Sequence, residues 1–192
     1  MGTWTPWGMS DGQKTLAPGI ISYSTPGHGG IHVEDKLNLK IHTKFRNADG
    51  WYEEDCEWAK VAFTFPYAFK PSHVLAAKET LVNWLPHEYE VVTGIKVNPV
   101  ESSTLRKEIW ENEHKNHLKV VCAVGDWHDN VPKGMVGVTM RGGKVRENGT
   151  YTGPERYFLV PENEYTHPFA IEDERKYQEV SPDFSPLMSL KK

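Results

Sequence analysis

The chain has 192 residues, 38% hydrophobic and 25% charged, with a net charge of −4 and a pI near 6.1. That length supports one good core, or one domain with an extension. The charge balance argues against nucleic acid as a purely electrostatic partner, because no basic excess exists to neutralise phosphates. No apolar run approaches the roughly 18 residues needed to span a bilayer, so a membrane partner is not expected.

Residues 1–18 are rich in Gly, Pro and Trp and read as irregular. Residues 19–24 form a strand candidate, rich in β-branched and aromatic side chains. Thr25-Pro26-Gly27-His28-Gly29-Gly30 is turn-forming, and Ile31-His32-Val33 resumes the strand, which places His28 at the tip of a hairpin. Residues 34–49 carry no clear pattern. A first helix is predicted over 50–65, with Asp49 as its cap and Pro66 after its end. A second is predicted over 72–85, bounded by Ser72 and Pro86. A third, over 103–117, has a thin apolar face of Leu105, Ile109 and Trp110. Then the period changes. Residues 118–124, 135–140 and 156–160 read as strands, and Gly125-Asp126-Trp127-His128-Asp129 is a polar loop behind the first of them. The order strands, helices, strands predicts an α+β fold. We expect an antiparallel sheet, made of the N-terminal hairpin plus the C-terminal strands, packed against two or three central helices. Residues 1–172 are expected to be a single domain, followed by a charged tail over 173–192 that contains Pro182 and Pro186.

The first helix carries the main lead. At about 100° per residue, Glu53, Glu57, Lys60 and Thr64 share a narrow polar arc. Glu54 and Asp55 fall in the apolar sector. Buried carboxylates need a partner, a hydrogen bond or a metal. First-turn acids also favour the positive end of the helix dipole, which is the plainer explanation. His28 lies on a glycine-lined backbone that a ligand can approach closely, and imidazole is both a proton carrier and a metal ligand. His28, Glu54 and Asp55 are therefore the candidate metal ligands, with a divalent metal as the implied cofactor. With Asp126 and His128 they make the candidate catalytic set: Asp126 and His128 can act as base and orienter, or simply hold an Asp-initiated turn. His32 is expected to point away from its apolar neighbours. His114 and His117 have helical spacing but read as surface residues. Lys133, Arg141, Lys144 and Arg146 read as loop charges beside strands. The two cysteines, Cys56 and Cys122, read as reduced and buried. A thiol–imidazole pair of Cys56 with His28 is the reactive alternative. The N-terminus lacks the basic-then-apolar order of a signal peptide, so a cytoplasmic protein is expected.

Five segments occur in a fixed order: Ser24 to Gly30 (STPGHGG), Gly50 to Trp58 (GWYEEDCEW), Gly125 to His128 (GDWH), Val131 to Val138 (VPKGMVGV) and Pro154 to Pro161 (PERYFLVP). Together they resemble an uncharacterised domain of unknown function found in phage, plasmid and alphaproteobacterial mobile-element (polyvalent) proteins. The resemblance spans roughly residues 5–165 and brings no established catalytic residues. It implies a small protein of a mobile element that binds and modulates or inhibits a host defence system, with a host protein as partner. The aromatic supply suits such recognition. The rival expectation is a small hydrolase, metal-assisted or general acid/base, built on the His/Asp/Glu set. A packaging accessory is a third.

Overall fold

The structure, a computed structural model, describes residues 2–143 and 151–180. The chain divides into two compact units, Met1–Glu108 and Ile109–Lys192. The boundary expected at 172 falls inside the second.

The first unit opens with a two-stranded ribbon, β1 (Trp4–Thr5) and β2 (Gly8–Met9). A four-stranded antiparallel meander follows: β3 (Gly12–Ala17), β4 (Ile20–Ser24), β5 (Gly29–Val33) and, after the short helix α1 (Asp35–Asn38), β6 (Trp51–Glu53). The irregular reading of residues 1–18 is thus corrected. Strand β3 has no apolar alternation because it is an edge strand with exposed polar side chains. Its hairpin to β4 turns on Pro18-Gly19, the pair that a type II turn takes at its two central positions.

One face of this sheet packs on helices. Ile20, Ile31, Val33 and Tyr52 meet Ala59, Val61 and Ala62 of α2 (Trp58–Thr64), Ala77 and Leu81 of α3 (Pro71–Trp84) and Tyr89 of α4 (Pro86–Thr93). Each fully buried side chain of Val, Leu or Phe size contributes roughly 1.5–3 kcal/mol. Pro66 follows α2 as expected, and α3 matches the predicted second helix within a residue. Helix α4 was missed. Pro86 closes α3 and also takes the first position of α4, where its missing N–H costs nothing. Helix α5 (Ser103–Glu113) is the predicted third helix, four residues shorter.

The second unit is a five-stranded antiparallel sheet ordered β10-β7-β8-β9-β11. Its central strands are β7 (Leu118–Val124), β8 (Met135–Arg141) and β9 (Glu155–Pro161), and its edges are β10 (Ala170–Ile171) and β11 (Gln178–Val180). Val136, Val138, Met140, Phe158, Val160, Phe169 and Ile171 form its core. Strand β11 pairs with β9, so residues 178–180 of the expected tail belong to the sheet. The fold is α+β with antiparallel sheets, but the N-terminal hairpin and the C-terminal strands occupy separate sheets. Among the described residues no helix is long and apolar enough to cross a membrane.

Candidate functional site

The hairpin between β4 and β5 turns on Thr25-Pro26-Gly27-His28. Thr25 holds it closed: its N–H and its hydroxyl both donate to the His28 carbonyl, at 2.7 and 2.8 Å, and its Oγ1 accepts from the His28 N–H at 3.1 Å. The backbone of His28 is fixed and its imidazole is left exposed.

Strand β6 lies beside β5, with Gly30 opposite Glu53 and Ile31 opposite Tyr52. The Glu54 N–H donates to the Gly29 carbonyl at 3.1 Å. The Glu54 carboxylate lies on Gly29 so closely that a Cβ there would come within 2.6 Å of Oε2. The structure thus brings Glu54 onto the residue next to His28, at one end of the β5–β6 pair.

The helical reading of residues 50–57 is corrected, and with it the burial of the two carboxylates. Residues 51–53 are strand and 54–57 a turn, so helix α2 begins only at Trp58. In a strand the side-chain period is two: Tyr52 points into the core, Trp51 and Glu53 away from it. Glu54 and Asp55 are exposed, whereas Glu53 and Glu57 are half-buried. Those two acids hold the segment together. Glu53 Oε1 accepts from the Asp55 N–H at 2.8 Å, and Glu57 Oε2 accepts from Asn47 Nδ2 at 2.7 Å. Lys60 Nζ donates to Glu57 Oε1 at 2.7 Å. Burial pushes the Glu57 carboxyl up, but the hydrogen bonds from Lys60 and Asn47 outweigh it and hold it below its ordinary value.

Cys56 is half-buried and not disulfide-bonded. Burial first, then the charges of Glu53, Asp55 and Glu57, raise its thiol above the ordinary value. That disfavours the thiolate a nucleophile needs, and the Cys56–His28 reading loses its support. Cys122 is likewise free and half-buried. Among the described residues no group of three or more His, Cys, Asp or Glu side chains could hold a metal ion, so His28, Glu54 and Asp55 are not assembled as a ligand set.

Asp126 and His128 belong to the second unit. Asp126 Oδ2 accepts from the Gly134 N–H at 3.0 Å, and Lys133 Nζ donates to the Asp126 carbonyl at 3.1 Å. His128 Nδ1 accepts from the Asn130 N–H at 3.3 Å. These bonds close the loop between Asp126 and Gly134. Of the other basic residues, Arg141 pairs with Glu155 at 2.5 Å across β8 and β9; Lys144 and Arg146 lie outside the described residues. His114 stacks on Trp110 with ring centroids 4.6 Å apart.

Two features went unread in the sequence. On the face of the first sheet away from the helices, Trp51 gathers Tyr23, His32 and Trp7 around it, at centroid separations of 5.3, 4.6 and 5.8 Å. His32 does point away from Ile31 and Val33, onto Trp51 rather than into solvent. The Trp7 ring sits on Gly30, where a Cβ would lie 2.1 Å from it, so only glycine admits that ring. The second feature is an open groove of about 730 Å³, lined by α3 and by the segment that follows α4. Leu75, Trp84 and Ile95 line it with 67%, 52% and 58% of their surfaces exposed. The available signal was that α3 carries apolar residues on more than one face: Ala77 and Leu81 point inward, and Leu75 lies on the opposite side.

Compared with known families, residues 1–115 match the model of a domain of unknown function, DUF7007. The match takes in the whole first unit, with the glycine-rich hairpin, the Gly50–Trp58 segment and the groove. No curated protein and no solved structure matches the chain.

Proposed function

The chain belongs to the DUF7007 family of domains of unknown function, and on that premise we propose that it is a protein-recognition module that works through its first unit. One observation carries this reading: Leu75, Trp84 and Ile95 are exposed together along one groove. Clustered exposed apolar side chains mark interaction sites far more often than isolated ones do. Tryptophan in a groove is a typical anchor, and a groove beside a helix, lined by Leu75, Trp84 and Ile95 together with Lys78, Glu79 and Lys96, suits an amphipathic helical segment of a partner. The resemblance to mobile-element proteins makes a host protein the partner we expect, in the host cytoplasm, with modulation or inhibition of a host defence system as the outcome.

The test is selection of displayed helical peptides on the full chain, followed by titration against Trp84→Ala and Leu75→Asp. Loss of an anchor should weaken binding by roughly 2 kcal/mol, the scale of an interface hot spot. Peptides that bind both variants as well as the parent would remove the groove from the proposal.

A second reading has one observation in its favour. Glu54 lies against Gly29, beside the exposed His28, so a carboxylate and an imidazole share a sheet end open to solvent. General acid/base hydrolysis is the chemistry such a pair performs. Chromogenic ester, phosphate diester and glycoside substrates test it. Turnover that falls by about 10²-fold in His28→Ala, with unchanged melting, would favour this reading over recognition.

A further inference from the structure

Helix α3 presents two faces. Ala77 and Leu81 are fully buried against the first unit's core. At about 100° per residue, Leu75, Lys78, Glu79 and Val82 share a second arc, and all four line the groove; Val82, at the edge of that arc, also packs against the core. Leu75, Lys78 and Glu79 are exposed and Val82 is half-buried. Their order along the helix is symmetric in kind. Leu75 and Val82 are equidistant from the midpoint between Lys78 and Glu79, and so are Lys78 and Glu79 themselves.

A two-fold axis through that midpoint would set a second α3 antiparallel on the first. Leu75 of each copy would then face Val82 of the other, and Lys78 of each would face Glu79. A two-fold interface has to be self-complementary, because the same patch serves both sides. This face meets that condition in its apolar pair and in its charged pair. A rim of one sign would repel a second copy; this one attracts it twice. We propose that the occupant of the groove face is a second copy of this chain, docked through α3 about a two-fold axis. The proposal rests on the groove being a recognition surface and adds its regulation. A heterologous helix would have to displace the second copy, so partner binding and self-association exclude one another.

Sedimentation of the full chain and of charge variants tests it. The parent chain should move from monomer to dimer across the micromolar range. Lys78→Glu puts two acids opposite each other at both ends of the axis, and Glu79→Lys puts two bases there. Each variant alone should dissociate at least about ten-fold more readily, since facing like charges oppose association. Mixed in equal amounts, the two variants should form a heterodimer, because every facing pair is then opposite in sign. A merely structural role for either residue would not produce that rescue. Both variants sit on exposed positions, and unchanged melting would show that they fold. A parent chain that stays monomeric throughout, or a mixture that fails to pair, overturns self-docking. The peptide selection with Leu75→Asp judges the recognition surface separately: groove-dependent peptides with a monomeric chain would leave recognition standing and remove only the second copy.

Discussion

Both units bury polar side chains, and they treat them differently. In the first, Tyr52 is fully buried; its hydroxyl donates to Asn38 Oδ1 at 2.6 Å and accepts from the Asn47 N–H at 3.1 Å. Asn38 Nδ2 donates back to the Asn47 carbonyl at 2.8 Å, and Asn47 Nδ2 reaches Glu57. The network closes on itself and ties α1, β6 and the start of α2 together. In the second unit Lys119 is 1% exposed, with its Nζ 3.8 Å from Glu111 Oε2 and over the Tyr151 ring. The Tyr151 hydroxyl donates to Glu111 Oε1. Other buried polar atoms of this unit stay open: among the described residues, Glu111 Oε2, His117 Nδ1, Thr139 Oγ1 and Arg141 Nε are buried without a hydrogen-bond partner. Buried polar groups repay their desolvation only when hydrogen-bonded. A closed network resists change at every member, whereas an isolated buried polar atom without a partner can be removed at a gain.

The largest effect that would sharpen this contrast lies at Lys119. Burial lowers its pKa, and the Glu111 charge opposes the shift. Lys119→Met should cost about 3 kcal/mol in denaturant unfolding, because it leaves a carboxylate without its cation. Adding Glu111→Gln should recover most of that. If the single variant is neutral, the pair contributes nothing to folding.

Next comes Tyr52, whose phenol burial pushes up to about 12. The folded state then holds the proton to higher pH than the unfolded chain, whose tyrosine titrates near 10. The Tyr52 contribution is therefore present in full below pH 10 and lost as the pH rises towards 12. The loss amounts to roughly 2–3 kcal/mol at about 1.4 kcal/mol per unit. Tyr52→Phe should lower stability by about 1–3 kcal/mol at neutral pH, since it strands Asn38 and Asn47. It should also flatten the alkaline slope measured by urea unfolding. A slope unchanged in the Phe variant would assign it to another group.

Thr139→Val should have the opposite sign. It removes an unpaired buried hydroxyl at nearly constant volume, and a gain of up to about 1 kcal/mol is expected from calorimetry. A clear loss would mean that Oγ1 is satisfied by something bound there. The smallest effect belongs to Glu54→Gln and Asp55→Asn. Both residues are exposed, so each change should stay within about 0.5 kcal/mol. A larger cost in thermal melting would restore the structural weight that helical periodicity assigned to them.

Much of the first unit was legible because its signals are local. His28 at a hairpin tip, Pro66 after α2 and the bounds of α3 follow from turn chemistry and proline alone. In the second unit, strand β7 was legible over residues 118–124, its full extent. The Gly50–Trp58 segment was not. Its aromatic and acidic residues fit a helical wheel and a strand nearly as well, and pairing with β5 decided between them. The polar edge strand β3 and helix α4 were hidden for related reasons: one lacks an apolar stripe, and the other begins at the proline that ends its neighbour.

The sequence by itself determined the class, α+β, and the order of elements, because side-chain period and chain-breaking residues act over a few positions. Only the tertiary structure decided that the N-terminal hairpin and the C-terminal strands belong to separate sheets, that Glu53 and Glu57 bind where Glu54 and Asp55 stand in solvent, and that Leu75, Trp84 and Ile95 share a groove. Each of those outcomes depends on which distant backbone supplies the hydrogen bonds or covers the apolar face, and no local pattern encodes that choice.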